Sequence, residues 1–168
     1  MREIVERAIE DLCTAFAQHG YNPTPIIDLG VLVANADGTV DEKERAFLRE
    51  VYEGLLETAL PTEVVDHLIS ASLDVIRSAG TEPRQRIVGE ILADCDAALP
   101  GLTVALAVAF ASEGLSSAER RVIDGVAEAA EVPAEELEGL VAKVRKVSDP
   151  DPVSMRNILV GSGPKSVR

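Results

Sequence analysis

The sequence predicts an all-α fold, and three observations lead to this prediction. Apolar residues recur every three or four positions, the spacing of one helix face, instead of alternating as they do in a strand. Capping residues precede several of these stripes, in two cases with a Glu three positions later. The most apolar run, residues 102–111, is about half the ~20 residues that a bilayer helix needs, so it predicts a helix buried inside the fold.

The elements of the first half follow in order from their caps and breaks. The first helix ends at residues 19–20, and the prolines of residues 21–25 predict a rigid connector that is not helical. A second, mostly apolar helix then runs from about residue 26 to 35. The third helix is capped by Asp41 and stops near residues 60–61.

The next two helices are predicted to begin at Thr62 and Thr81, with a break at residues 79–80 between them. Pro100-Gly101 is expected to break the chain before the buried run. The fifth helix carries an apolar stripe that we expect to be buried, and its members are Ile87, Val88, Ile91, Leu92 and Cys95.

Two further helices complete the predicted body. Ser116 and Glu119 repeat the capping-box pattern, and Pro133 stands where a last helix, from about residue 134 to 147, would start. Beyond it the chain is rich in Pro and Gly and typical of a linker. We therefore interpret residues 1–147 as one helical domain and residues 148–168 as a C-terminal tail.

Charge narrows the classes of function. Sixteen Lys and Arg residues against 29 Asp and Glu residues give a net charge of -13, which repels nucleic acid and anionic lipid. We expect no nucleic-acid partner and no direct membrane insertion. The N-terminus leads into an amphipathic pattern without an apolar signal core, which predicts a cytoplasmic protein. Metal cations and basic protein segments are the partners that this charge leaves open.

Two turns in the sequence share the same order of parts. Residues 34–38 align with residues 110–114, and each stretch has an apolar helix before it and an acidic residue next to a glycine. With one residue deleted after Gly114, Glu44 aligns with Glu119. We call residues 35–44 the first elbow and residues 111–119 the second elbow. The repeated halves, each a helical hairpin, span about residues 26–60 and 102–130.

Oxygen donors crowd the first elbow around its glycine. Carboxylates at close range repel one another, so these residues either hold a cation or only cap the helix that follows. An EF-hand loop fits poorly, because Val33 stands where its first Asp ligand is expected. A carboxylate of the other half, or Asp28, could add a ligand. The candidate ligands of this elbow are Asn35, Asp37, Asp41 and Glu44.

Zinc and catalytic chemistry have less support. His67 lies one helical turn from Glu63, but polar residues line the same side, which is typical of a solvated face. Cys13 and Cys95 are expected to be buried free thiols, and no histidine accompanies a Cys or Ser in a nucleophile pattern. We expect no enzyme and no organic cofactor, while a metal-dependent hydrolase stays open as a third hypothesis.

The first elbow has the pattern Ala34-x-Ala36-Asp37-Gly38-x-Val40-x-x-x-Glu44, followed by an apolar helix. This pattern resembles the signature of the TerB-like, tellurite-resistance family. The resemblance covers residues 26–147 and implies a compact bundle of seven or eight helices with internal pseudo-symmetry. It also implies acidic surface residues that chelate a metal ion, and a place in a cytoplasmic stress-response complex near the membrane.

Carried over to the second elbow, the resemblance makes Glu113 and Glu119 candidate metal ligands. This elbow departs from the pattern, since Glu113 replaces Asp and Glu119 follows Gly114 by five residues instead of six. We expect that shift to move the Glu119 carboxylate around its helix by about one position, ~100°.

Together these features predict a non-enzymatic stress-response protein. It would bind a divalent cation, Ca²⁺ or Mg²⁺ rather than Zn²⁺, at the acidic elbows and dock to protein partners. The alternative is a metal-free helical adaptor that binds a basic or amphipathic partner segment.

Overall fold

The computed structural model describes residues 1–148, and this part of the chain folds into helices joined by short turns, without a strand. The predicted all-α fold is confirmed, and these residues form eight helices where seven or eight were expected. The predicted tail lies, except for Ser148, outside the described residues. The eight helices are α1 (Arg2–His19), α2 (Thr24–Ala34), α3 (Glu42–Leu56), α4 (Thr62–Ala79), α5 (Thr81–Asp94), α6 (Ala98–Ala109), α7 (Ser117–Ala129) and α8 (Ala134–Ser148).

The helices α2 and α6 form the centre of the fold and pack against each other. Apart from the buried Asp28 of α2, both are apolar around nearly their whole circumference, which is the pattern of a helix that neighbours cover on all sides. The predicted burial of the apolar run is confirmed, because residues 102–109 are all buried. Within residues 1–148, no helix combines the length and the apolar character needed to cross a membrane.

The other six helices surround this pair in two related sets. In the first set α1 packs on α3 and α6, while in the second set α5 packs on α7 and α2. In the same way α4 packs on α2, and α8 packs on α6. Exchanging α1–α4 for α5–α8 therefore reproduces the main contacts, so the repeat seen at the elbows extends to two sets of four helices.

Each set contains a close helix crossing, and the two crossings are built differently. Between α5 and α7, a Cβ on Gly89 would lie 2.5 Å from the Cβ of Ala129, so only glycine fits there. Between α1 and α3 the glycine is on the other helix, where Gly54 faces Ile9 at 3.1 Å from an added Cβ. At this crossing the first set thus has the large apolar side chain of Ile9 on α1, whereas the second set has Gly89 on α5.

Three predicted helix boundaries were wrong, and each lies at a proline. Residues 24–25 and residues 100–101 are helical, because proline in a first turn loses no hydrogen bond. The third helix ends at Leu56, well before Pro61, because Glu57 takes a left-handed conformation with φ of 50°.

Two burial predictions also needed correction. Ile87 is 41% exposed, since α5 turns the neighbouring face with Val88 and Gly89 toward the body. Cys13 is only half-buried, whereas Cys95 is a buried free thiol as predicted. His67 and Glu63 are both exposed, so the solvated-face interpretation is confirmed.

Candidate functional site

The first elbow is held by a complete capping box at the start of α3. The Asp41 Oδ1 atom accepts from the Glu44 backbone N–H at 2.8 Å, and Glu44 Oε2 accepts from the Asp41 backbone N–H at 2.9 Å. Upstream, Asp37 Oδ1 accepts from the backbone N–H of Thr39 at 3.0 Å. Gly38, with φ of 100°, makes the turn between them.

The second elbow has the same construction at the start of α7. Ser116 Oγ accepts from the Glu119 N–H at 3.2 Å, and Glu119 Oε2 accepts from the Ser116 N–H at 2.7 Å. Gly114 has a φ of 101°, close to that of Gly38. The expected displacement of Glu119 around its helix is therefore wrong. The second elbow has one residue fewer between its glycine and its cap, which shortens the turn only. The glutamate follows the N-cap residue by three positions in both elbows.

The fold brings the two elbows together around one small cavity of about 160 Å³. Five of the six predicted ligands line it, whereas Asn35 is the C-cap residue of α2 and lies outside its lining. No Lys, Arg or His is among the lining residues. The five carboxylates that line this cavity, which we call the elbow cavity, are Asp37, Asp41, Glu44, Glu113 and Glu119.

Two of these carboxylates are buried, one from each set of helices. Glu44 is 6% exposed and Glu119 is 5% exposed. The Oε1 atom of Glu119 is buried without any hydrogen-bond partner. Such an atom is uncommon in a folded protein, since a buried polar group normally finds a donor, a water or an ion.

The concentration of negative charge also changes the acidity of Glu44. Burial, together with the charges of Asp41, Glu119 and Asp37, raises the pKa of Glu44 to about 7, against the lowering effect of the hydrogen bond from the Asp41 backbone. A proton or a cation at this position would relieve the same repulsion.

The carboxylates do not form a finished set of metal ligands in the conformation described. Across residues 1–148, no group of three or more His, Cys, Asp and Glu side chains is disposed to hold one metal ion. Three of the lining carboxylates, on Asp37, Asp41 and Glu113, belong to exposed residues and have room to turn. A cation would thus require local rearrangement of side chains.

Asp28 is not part of the elbow cavity. Its carboxylate accepts from the Ser72 hydroxyl of α4 and from the Arg84 guanidinium of α5, and the residue is 2% exposed. This buried pair ties α2 to the two helices that connect the halves. Both carboxylate oxygens of Asp28 therefore have structural partners.

The hydroxyls that line the cavity were missed by the sequence analysis, except for the cap Ser116. Thr39 was open to prediction, because a Thr two residues after an Asp is typical of a turn in which the carboxylate accepts its backbone N–H. Ser112 aligns with Ala36 in the repeat, so the pattern carried no signal for it. Both hydroxyls lie beside the carboxylates in the cavity wall.

Comparison with known proteins gave one finding that concerns most of the chain. Neither the curated proteins nor the solved structures contain a significant match. The family described as Tellurite resistance protein TerB, however, matches residues 26–142, which include both elbows, most of α2 and the five whole helices α3 to α7. The chain therefore belongs to the TerB family.

Proposed function

We propose that this TerB-family chain is a non-enzymatic, cytoplasmic protein whose two elbows together bind one divalent cation and whose surface docks to protein partners. The observation that carries the proposal is the buried, unpartnered Oε1 atom of Glu119 in a cavity with five carboxylates and no basic side chain. The site is a shared one, because Glu44 comes from α3 and Glu119 from α7.

The energetic case rests on the position of these two glutamates. A buried acceptor left without a donor costs about 1–3 kcal/mol, and more when it is charged. Each glutamate already uses its Oε2 atom to close a capping box, so its Oε1 atom is the one available to a ligand. A cation near Glu119 Oε1 would satisfy this atom and offset the repulsion from Glu44 at the same time.

The chemistry of the lining favours a hard cation. Its side-chain donors are the oxygens of carboxylates and hydroxyls, which suit Ca²⁺ and Mg²⁺, while Zn²⁺ prefers the nitrogen and sulfur ligands that this wall lacks. Ca²⁺ accepts irregular geometry with six to eight oxygens, and exposed Asp37, Asp41 and Glu113 can supply several by turning inward.

A metal-free adaptor is the second candidate function. Both capping boxes are complete without an ion. Capping by itself therefore accounts for the residue types at four positions, which are Asp41, Glu44, Ser116 and Glu119. In that case the acidic surface, with its net charge of -13, would serve to attract a basic or amphipathic segment of a partner protein.

A titration of the whole chain with Ca²⁺, Mg²⁺, Mn²⁺ and Zn²⁺, followed by backbone amide NMR, tests this proposal. We expect one equivalent of ion to shift the amides of Gly38 and Gly114 together, and Glu119→Gln to weaken both shifts. Glu63→Gln, at an exposed glutamate in the first turn of α4 that does not line the elbow cavity, is the matched control and should titrate as the unsubstituted chain does.

Each alternative has its own result in this experiment. Shifts at Gly38 alone would place a cation in the first elbow only and contradict a shared site. If neither glycine responds to any ion below millimolar concentration, the glutamates are caps and the metal-free adaptor becomes the better account.

A further inference from the structure

A groove with an apolar floor runs between α1 and α3, on a part of the surface separate from the elbow cavity. It encloses about 460 Å³. Its rim is mainly acidic, with the exposed residues Glu6, Glu10 and Glu50, and Arg2 at one end pairs with Glu6. We call it the α1–α3 groove, and its apolar floor consists of Val5, Ile9, Phe47 and Val51.

The equivalent surface of the second set lacks this character. Between α5 and α7, Ala129 is the one apolar side chain among the lining residues, and two arginines, Arg86 and Arg121, lie among the acidic ones. The backbones also approach closely there, with Gln85 lying over Gly125. The helices of the two sets correspond, but the apolar floor is a feature of the α1–α3 groove that its counterpart between α5 and α7 lacks.

The described chain ends beside the entrance to this groove. The Ser148 hydroxyl lies 3.4 Å from the Met1 sulfur, and the Met1 amino group donates to the Val147 carbonyl at 3.3 Å. The lining of the groove starts at Arg2 and Val5, within the first turn of α1. Ser148, where the described part of the chain ends, thus lies near one end of the groove.

The composition of residues 149–168 complements the groove. They contain three basic and two acidic residues, whereas the remainder of the chain is strongly acidic. An apolar triplet, residues 158–160, stands between Arg156 and Lys165. Nine residues lie between Ser148 and the start of the triplet, enough to span roughly 30 Å when extended, while residues 2–10 of α1 extend over only about 12 Å.

We propose that residues 153–168 of the same chain occupy the α1–α3 groove, with the triplet 158–160 on the apolar floor and Arg156 and Lys165 near the glutamates of the rim. The C-terminal segment then acts as an internal ligand of this docking surface. A basic, amphipathic segment of a partner protein has to displace it in order to bind. This proposal is independent of a cation at the elbows.

Paramagnetic relaxation in the chain of residues 1–168 tests the proposal. A nitroxide is attached at position 162 of the Ser162→Cys variant in a Cys13→Ala background, because Cys13 is half-exposed whereas Cys95 is buried. We expect loss of amide intensity at Glu6, Ile9 and Glu50, with the signals of Glu82 and Arg121 in the opposite groove kept. The loss should disappear with Ile158→Asp and Leu159→Asp in the labelled chain, and decrease with Glu50→Arg.

Three results would overturn the proposal. One is full intensity along α1 and α3, and a second is equal loss in both grooves. The third comes from a mixture of two populations of the chain, one with the isotope only and the other with the nitroxide only. Loss of amide intensity in this mixture would mean that the segment in the groove comes from a second copy. Unchanged helical circular dichroism of each variant shows that the fold is retained.

Discussion

Glu44 and Glu119 occupy the same position in the two sets of helices, and both line a single cavity. Each closes the capping box of its own helix through one oxygen. The cavity therefore joins the N-termini of α3 and α7, which lie far apart in the sequence. Because the two glutamates belong to different helices, each can be substituted while the other is kept, and the contribution of each to the cavity can be measured.

A divalent cation is expected to stabilise the fold against heat. Because it binds only the folded state, an ion at about 100 times its dissociation constant adds about 2.7 kcal/mol, which is roughly 5–10 °C in a domain of this size. Differential scanning calorimetry with and without Ca²⁺ measures the change. Glu119→Gln should abolish it and Glu63→Gln should keep it, whereas an equal increase in all three chains would indicate nonspecific ion binding.

Stability in the absence of divalent ions should fall as the pH rises through the range in which Glu44 titrates. Its pKa is raised from 4.5 to about 7 in the fold, so the folded chain holds a proton that the unfolded chain has released. The loss begins near the unfolded value, is complete above about pH 7, and amounts to at most on the order of 3 kcal/mol.

Urea unfolding at a series of pH values checks this prediction. Glu44→Gln keeps an acceptor for the Asp41 N–H but carries no charge, so its stability should change less over the same range. The matched control is Glu50→Gln, an exposed residue of the same helix. A profile of Glu44→Gln that parallels the unsubstituted chain would show that another group is responsible.

Gly89→Ala should destabilise the crossing of α5 and α7. The added Cβ would lie 2.5 Å from the Ala129 Cβ and 2.6 Å from the Val126 carbonyl oxygen, and overpacking of this kind costs about 1–3 kcal/mol. Gly139→Ala is the control, because nothing lies within 4 Å of its added Cβ and alanine favours the helix by about 0.5–1 kcal/mol. Equal unfolding midpoints for the two variants would contradict the close crossing.

Asp28→Asn should weaken the fold without affecting cation binding. The substitution removes the charge that faces Arg84, which is largely buried, and breaking a buried pair costs about 3–5 kcal/mol, less here because Arg84 keeps some contact with water. The amide shifts of Gly38 and Gly114 on titration should remain. Their loss in a variant that is still folded would mean that Asp28 contributes to the cation site.

The sequence was sufficient to predict the helices and much of the elbow cavity. Spacing of apolar residues and the two capping boxes predicted α3 and α7 because these signals are local. The helix boundaries predicted at Pro25 and Pro100 were wrong, because a proline that ends a helix and one that begins it give the same local sequence signal.

The meeting of the two elbows was harder to predict. The alignment of Glu44 with Glu119 showed that they were equivalent, but equivalent residues of a repeat need not be neighbours in space. Their proximity depends on how α2 packs on α6, which is a long-range contact. For the same reason the role of Asp28 with Arg84 was invisible, because 56 residues separate the partners.

The central pairing of α2 with α6 has an evolutionary consequence. Two like units that meet through their most apolar helices, around a site to which each gives one glutamate, have the arrangement of a symmetric homodimer. Joining the ends of two ancestral subunits by gene duplication would give such a chain. A single unit, cut after α4, would expose the face of α2 that α6 covers, and it would be expected to self-associate to hide that face.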